Sequence, residues 1–188
     1  MFRLGEHALG RASAGWLQGR APVRGQARRP SDTVFVMELV LFIGLQGSGK
    51  SSFYRERFAG THVLVSKDLW PHARRRDARQ QRLISEALAA GRPVVVDNTN
   101  PTVEARAPLI AVGKAHGARV VGYAFESLLE DCLARNARRE GRARVPEVGL
   151  YATRKVLRWP SLAEGFDALF FVRFTPEGTF DVTDWREP

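Results

Sequence analysis

A glycine-rich segment, Gly44–Ser51, constrains the fold of this chain more than any other feature. Its residues match the pattern Gly-x-x-x-x-Gly-Lys-Ser in full. The apolar run Leu39–Ile43 precedes it, and the segment 50–58 has the character of a helix that stops before Gly60. A buried strand, a glycine loop and a helix in this order predict an α/β unit whose loop cradles phosphate groups.

The chain after this unit alternates between short apolar runs and segments with helical spacing. Strands that are apolar throughout must be covered on both faces, which is typical of parallel sheets. We therefore expect a P-loop NTPase fold of the α/β class, with a five-stranded parallel sheet, helices on both faces and a helical, arginine-rich lid. The later strands are predicted at His62–Ser66, Val94–Asp97, Arg119–Phe125 and Ala168–Phe174, and the later helices at 76–90, 102–116, 127–139 and 147–158.

Charge and composition narrow the partners and the compartment. The 188 residues carry 29 basic and 20 acidic side chains, a formal charge of +9, which favours an anionic partner, with nucleic acid ahead of membrane. No apolar run approaches the roughly 20 residues of a membrane span. The single cysteine, Cys132, excludes an intrachain disulfide and fits a reducing, cytoplasmic compartment. The four histidines and this cysteine lack metal-ligand spacing, so zinc is not expected.

The first 36 residues differ from the rest. They contain six arginines and two acidic residues, are rich in Gly, Ala and Pro, and show no apolar period, so we expect a disordered basic extension. One explanation is a start-site artefact, because Met37 opens a strong strand. A basic tail that touches nucleic acid and a transit peptide are the other two. Residues 37–188 are then the folded domain.

The glycine loop predicts a nucleoside triphosphate, ATP or GTP, with Mg²⁺ as ligands. Glycines let successive backbone N–H groups face the phosphates, and the following helix adds its positive end. Lys50 is expected to reach the β- and γ-phosphates, and the Ser51 hydroxyl is expected to bind Mg²⁺. The predicted nucleotide contacts in the loop are Gly44, Gln46, Gly47, Ser48, Gly49, Lys50, Ser51 and Ser52.

Length and missing motifs favour a kinase. A GTPase normally carries an Asn-Lys-x-Asp guanine reader, and the nearest segment here, Ser66–Leu69, lacks it. The 152 residues from Met37 onward are few for a motor or an AAA+ ATPase. Small phosphate-loop folds are mostly kinases of small molecules or nucleic-acid ends. Such a kinase needs a carboxylate for the acceptor hydroxyl and positive charge over the transferred group.

Two aspartates follow predicted strands. Asp68 follows the second strand, at the sheet edge where α/β folds bind ligands, and is the candidate acceptor carboxylate. Asp97 ends the third strand and is the candidate carboxylate beside Mg²⁺, with polar Asn98, Thr99 and Asn100 after it. For each aspartate the alternative is an N-cap of the next helix.

Two arginine clusters complete the candidates. In the first, Arg135 and Arg139 lie one turn apart on a predicted helix, which suggests a mobile lid that closes over phosphates; the alternative is a solvated basic face. In the second, Arg75, Arg79 and Arg82 share a face opposite Leu83 and Leu88, which is a solvent face or a nucleic-acid track. The clusters are Arg135, Arg138, Arg139, Arg142 and Arg144, and Arg74, Arg75, Arg76, Arg79 and Arg82.

Together these motifs resemble the kinase domain of polynucleotide 5′-hydroxyl kinases over residues 39–173. The resemblance rests on the glycine loop, Asp68 after a strand, the stretch Asp97–Pro101 and the arginine lid. It is closest to the kinase half of the mammalian-type polynucleotide kinase-phosphatase, which has similar counterparts of Tyr151–Lys155 and Pro160–Phe166. It implies an ATP-dependent kinase that phosphorylates 5′-hydroxyl ends of DNA or RNA, as in nucleic-acid repair.

The resemblance also implies roles for residues. Lys50 and Ser51 match the phosphate and Mg²⁺ groups, and Asp68 matches the general base. Arg139 matches the lid arginine that stabilises the transferred phosphate, with Arg135 on the neighbouring phosphates. The implied catalytic residues are Lys50, Asp68 and Arg139, the implied metal site is Ser51 with Asp97, and the expected acceptor contacts are Asp68, Thr99, Arg75 and Arg79.

Some positions depart from the pattern. Pro71 stands where phage-type enzymes have an arginine that contacts the acceptor phosphate, so Arg74–Arg76 are possible substitutes. Ser66 and Lys67 replace the usual Asn-Arg, and no Asp-x-Asp-Gly-Thr phosphatase motif occurs. A kinase of a small metabolite, antibiotic or aminoacyl-tRNA, and a nucleotide-gated nucleic-acid-binding module with little turnover, are the alternatives.

Overall fold

The computed structural model describes residues 37–186, and the predicted basic extension lies outside them. Helices and strands alternate along the chain as the apolar pattern predicts. In chain order the elements are β1 Glu38–Ile43, α1 Lys50–Arg57, β2 Val63–Val65, α2 Arg76–Ala89, β3 Val94–Val96, α3 Val103–Ala115, β4 Arg119–Phe125, α4 Leu129–Ala137, α5 Glu147–Val156, β5 Ala168–Phe174 and β6 Phe180–Asp184.

The strands form one sheet in the order β2-β3-β1-β4-β5-β6. The first five are parallel to their neighbours, which confirms the predicted parallel sheet. The sixth, β6, was not predicted and runs antiparallel to β5, with Phe174 opposite Phe180. Only Phe180 of its five residues is buried, so an apolar run could not reveal this edge strand.

Helices cover both faces of the sheet, and alternate residues of β1 show why. Leu39, Leu41 and Ile43 point into a core formed with α2, α3, α4 and α5. Val40 and Phe42 point into a second, aromatic core formed with α1 and the residue after it, Phe58. A strand that is fully buried on both faces needs apolar side chains throughout, and each large one contributes about 1.5–3 kcal/mol on burial.

The strand order brings three loops together. β2, β3 and β1 are neighbours and parallel, so the loops that follow them meet at one edge of the sheet. These loops carry Asp68, Asp97 and the glycine segment, respectively. The three regions that the sequence singled out are therefore adjacent.

The two arginine clusters are arranged differently from the prediction. α4 ends at Ala137, so Arg139 lies beyond the helix rather than one turn along it. α2 begins after Arg75, whose backbone is left-handed with φ 53°, so Arg75 shares no helical face with Arg79 and Arg82. Among the described residues, no helix has the length and apolar character to cross a membrane.

Candidate active site

The glycine loop curls between β1 and α1. Gly47 has φ +82°, and a Cβ atom at this position would lie 2.6 Å from the carbonyl oxygen of Cys132. Any side chain at Gly47 would therefore require both backbone strain and a shift of α4. Gly49 precedes α1 in a left-handed conformation without a side-chain cap, which leaves the first N–H groups of the helix for a ligand.

Lys50 is folded back into this loop. Its Nζ donates to the carbonyl oxygens of Gly44 at 3.0 Å and Leu45 at 2.5 Å, and to Ser48 Oγ at 3.3 Å. Burial lowers the pKa of Lys50 from 10.5 to about 8, while the negative charge of Asp97 acts in the opposite direction. Because this ammonium group is buried and its partners are neutral oxygens, negatively charged phosphate oxygens would stabilise its charge more strongly.

Ser51 and Asp97 form the candidate metal site. The Ser51 hydroxyl donates to Asp97 Oδ2 at 2.6 Å. Burial raises the pKa of Asp97, and the Ser51 hydrogen bond and the Lys50 charge lower it. Hydroxyl and carboxylate oxygens suit Mg²⁺, which commonly takes one or two protein ligands together with substrate phosphates and water. In residues 37–186 no group of three or more His, Cys, Asp or Glu side chains is close enough to bind a metal by itself.

The capping alternative for Asp97 is wrong. α3 is capped by Thr102, whose Oγ1 accepts from the N–H of Ala105 at 3.2 Å. Asp97 lies five residues earlier and its carboxylate is already bonded to Ser51.

Asp68 is not a helix cap either. It lies inside a single 3₁₀ turn, Lys67–Leu69, whose cap is Ser66, and α2 begins only after Arg75. Asp68 is exposed, and its negative charge acts on the pKa of both Lys50 and Asp97, after the larger effect of burial on each. The acceptor candidate therefore lies on the same edge of the sheet as the loop lysine and the metal candidate.

Two side chains hold the Asp68 turn in place. Asn98 Oδ1 accepts from the Lys67 N–H at 3.0 Å, and Arg76 Nη2 donates to the Lys67 carbonyl at 2.9 Å. Thr99 contributes through its backbone, because its carbonyl accepts from the Gly44 N–H at 3.0 Å. The loop after β3 therefore connects the acceptor side to the glycine loop.

Two arginines of the first cluster, Arg135 and Arg139, lie towards the glycine loop. Arg135 Nε donates to the Gly47 carbonyl at 2.6 Å, and its guanidinium lies 5.9 Å from the centre of the Phe174 ring. Arg139 lies close enough that its charge lowers the pKa of Lys50 and of Asp97, in each case as a smaller contribution than burial. The other three arginines of this cluster, Arg138, Arg142 and Arg144, are exposed.

On the acceptor side, Arg75 and Arg79 are exposed next to the Asp68 turn. The guanidinium of Arg79 lies over the ring of Trp70, 5.3 Å from its centre, and Trp70 is two residues after Asp68. Their predicted role in acceptor binding stays a prediction. A cavity of about 810 Å³ lies elsewhere, at the β5–β6 edge, and is lined by Trp159, Phe171 and Trp185.

Sequence reasoning missed Arg106, a fully buried residue of α3. Its guanidinium forms two hydrogen bonds of 2.7 Å with the Glu164 carboxylate. The sequence did contain a signal: Arg106 lies three residues before Leu109 and four before Ile110, and this spacing places it on the buried face of the helix. Glu164 lies inside the stretch Pro160–Phe166, which was noted without a role.

The fold and the loop geometry define a P-loop nucleotide-binding domain with a kinase-like fold. Residues 39–160 match the family model described as AAA domain, and the chain belongs to that family. The match lies within the described residues and agrees with a P-loop nucleotide-binding domain.

Solved structures share this fold. Kti12 from Chaetomium thermophilum, in complex with ADP-AlF3, is 18% identical with a TM-score of 0.58, covering 72% of this chain and 89% of that one. A gluconokinase from Sinorhizobium meliloti 1021 is 21% identical with a TM-score of 0.53, covering 74% and 83%. A sugar kinase from Janibacter sp. HTCC2649 is 13% identical with a TM-score of 0.55, covering 73% and 85%. At these identities the likeness establishes the fold alone.

Proposed function

We propose that this protein is a phosphotransferase that moves the γ-phosphoryl group of ATP to a 5′-hydroxyl end of DNA or RNA. The observation that carries the proposal is that the loops after β2, β3 and β1 meet at one edge of the sheet and are joined there by the Ser51–Asp97 and Lys67–Asn98 hydrogen bonds. A cation for the donor phosphates and a carboxylate for the acceptor are the two requirements of this chemistry.

On the donor side, phosphate oxygens replace the loop carbonyls as partners of Lys50. Arg135, close to the Gly47 carbonyl, and Arg139, close to Lys50, add positive charge as the phosphoryl group loosens from its bridging oxygen. When bound between Ser51 and Asp97, Mg²⁺ supplies charge neutralisation of the donor phosphates.

On the acceptor side, Asp68 orients the hydroxyl and accepts its proton. The hydroxyl oxygen forms a bond to the γ-phosphorus, the bond to the β–γ bridging oxygen breaks, and ADP leaves with that electron pair. The backbone of the turn that carries Asp68 is held by Asn98 and Arg76, which limits where the carboxylate can lie when the substrate arrives.

The surroundings of Asp68 favour a nucleic-acid end as the acceptor. Asp68 is open to solvent, Arg79 lies over Trp70 two residues after it, and Arg74 and Arg75 are exposed in the segment that leads to α2. Phosphates of a polynucleotide would neutralise these arginines, and the guanidinium of Arg79, held over the Trp70 ring, is the one placed nearest the Asp68 turn.

A kinase of a small hydroxyl compound is the second candidate. Pro71 stands three residues after Asp68, where the polynucleotide pattern has an arginine. The gluconokinase and the sugar kinase that share the fold act on small acceptors by their names. A nucleotide-gated binding module would instead leave the label on the nucleotide.

The test is transfer of labelled γ-phosphate to a panel of 5′-hydroxyl DNA and RNA oligomers, nucleosides and sugars. We expect labelled oligomers, and we expect Asp68→Asn to lower turnover at saturating oligomer at least ~10²-fold with ATP affinity unchanged, because asparagine keeps the shape but accepts no proton. Asp181→Asn, which removes an exposed aspartate of β6, is the matched control. Label on sugars or nucleosides only, or near-normal turnover of Asp68→Asn, contradicts the proposal.

A further inference from the structure

Arg106, which forms an ion pair with Glu164, also contacts the main chain of two other segments. Arg106 Nη1 also donates to two backbone carbonyls, Asn100 at 3.1 Å and Arg158 at 3.0 Å. A fully buried guanidinium must be paired and hydrogen-bonded to be tolerated, and here four hydrogen bonds satisfy it. Two of the four bind the main chain of segments that are far apart in sequence.

One of these segments is the β3 loop, Asp97–Asn100. Asn100 has a left-handed backbone with φ 42°, and its Nδ2 donates to the Phe42 carbonyl at 2.8 Å. Thr99 accepts from the Gly44 N–H. The β3 loop is thus held by Arg106 at its last residue and is tied to the strand and the loop that carry the donor site.

The same loop reaches the acceptor side. Asn98 accepts from the N–H of Lys67, the residue before Asp68, and Asp97 is bonded to Ser51. Within four consecutive residues the β3 loop contacts the acceptor turn, the metal candidate and the glycine loop.

We propose that Arg106, held by Glu164, is a positioning residue that sets the β3 loop and thereby the placement of Asp68 relative to the donor phosphates. This inference rests on the proposed phosphoryl transfer. A displacement of the β3 loop by a fraction of an ångström misaligns the acceptor hydroxyl with the γ-phosphorus, whereas the glycine loop still binds nucleotide through Lys50.

A role in stability alone makes a different prediction. Replacing a buried ion pair by apolar residues of similar volume is often neutral or stabilising, whereas removing one partner leaves a buried charge. The double variant Arg106→Met/Glu164→Leu therefore removes the hold on the Asn100 carbonyl without leaving a charge in the core. It separates positioning from stability.

The experiment compares this double variant with the full-length wild type. We expect a melting temperature lowered by a few degrees, because the Asn100 and Arg158 carbonyls and the Ser161 N–H lose their partners. We also expect an ATP dissociation constant within about twofold and a kcat for phosphoryl transfer lowered about tenfold or more. Arg106→Lys keeps the charge beside Glu164, but its shorter side chain has three donors on one nitrogen and cannot reproduce the four hydrogen bonds of the planar guanidinium, so the same loss of kcat is expected. It replaces the double variant if that protein melts much lower.

The matched control is Lys114→Gln/Asp167→Asn, which removes an exposed ion pair between the same helix and the segment before β5. We expect unchanged kcat. A kcat of the Arg106 variants within twofold of wild type overturns the inference.

Hydrogen exchange distinguishes this failure from failure of the proposed function. In the Arg106 variants, the amides of Gly44 and Lys67, which are bonded to the β3 loop, should exchange faster than in the control. If the Arg106 variants exchange faster but the wild type phosphorylates no acceptor, the proposed function is rejected and the conclusion that Arg106 positions the β3 loop stands. Unchanged exchange rejects the positioning role.

Discussion

Lys50 shows at the scale of one residue how the loop is prepared for a ligand. Its ammonium group is buried and bonded to neutral oxygens of the loop, and this burial lowers its pKa to about 8. No neutral side chain can replace the charge that phosphate oxygens require.

We expect Lys50→Ala to weaken nucleotide binding and to lower phosphoryl transfer by more than tenfold, since such charge stabilisation is typically worth roughly 3 kcal/mol. Titration calorimetry with a nonhydrolysable nucleotide and the transfer assay measure the two effects. Lys114→Ala removes an exposed lysine as the control. Transfer by Lys50→Ala within tenfold of the wild type would contradict the assignment of the loop.

The two aspartates show what residue types alone leave open. An aspartate after a strand is as compatible with a helix cap as with a functional carboxylate. Ser66 and Thr102 are the caps instead, and Asp97 bonds to Ser51 across 46 positions of sequence. No local pattern contains that long-range contact.

At the scale of elements, Asp167 joins α3 to β4 through the segment that precedes β5. Its carboxylate accepts from Lys114 Nζ at 2.6 Å and from the Val120 N–H at 2.7 Å. The Lys114 hydrogen bond, followed by that of Val120, lowers the pKa of Asp167 below its ordinary value of 3.8. The folded protein therefore binds this proton less tightly than the unfolded chain.

Because the pKa is lowered on folding, the stability that Asp167 contributes is present above pH 3.8 and is lost as pH falls through the folded-state pKa. We expect Asp167→Asn to melt below the wild type at neutral pH, and the difference to shrink as pH falls below about 4. Melting curves from pH 7 to pH 3 provide the measurement, and a constant difference would contradict the expectation.

Some secondary-structure elements could be predicted from the sequence and others could not. The five parallel strands were predicted because each is a largely apolar run, and β1 and β3 are buried on both faces. β6 was not predicted because it is an edge strand with one buried residue. The end of α4 was predicted too late because the helix ends in a turn at Arg138, and no glycine or proline marks that position before Gly141.

At the scale of the whole molecule, a charge of +9 and the exposed arginines beside Asp68 predict salt-dependent binding of a polynucleotide. Binding to a single strand weakens with salt by a log–log slope of about −0.7 for each phosphate neutralised. Fluorescence anisotropy of a 5′-hydroxyl single strand measures the slope.

We expect Arg75→Gln/Arg79→Gln to reduce the magnitude of this slope by roughly 1.4, and Arg57→Gln, an exposed arginine of α1, to leave it unchanged. A slope near zero in the wild type would favour the small-molecule acceptor.

The sequence by itself determined the α/β fold, the phosphate loop and the residue types of the site, because these depend on short-range patterns of burial, glycine and charge. Tertiary structure alone decided which of these residues meet. The order β2-β3-β1 placed three loops at one edge, and the pair Arg106–Glu164 bridges 58 positions. Such contacts arise from strand order and packing between distant segments, and a single sequence carries no periodicity that encodes them.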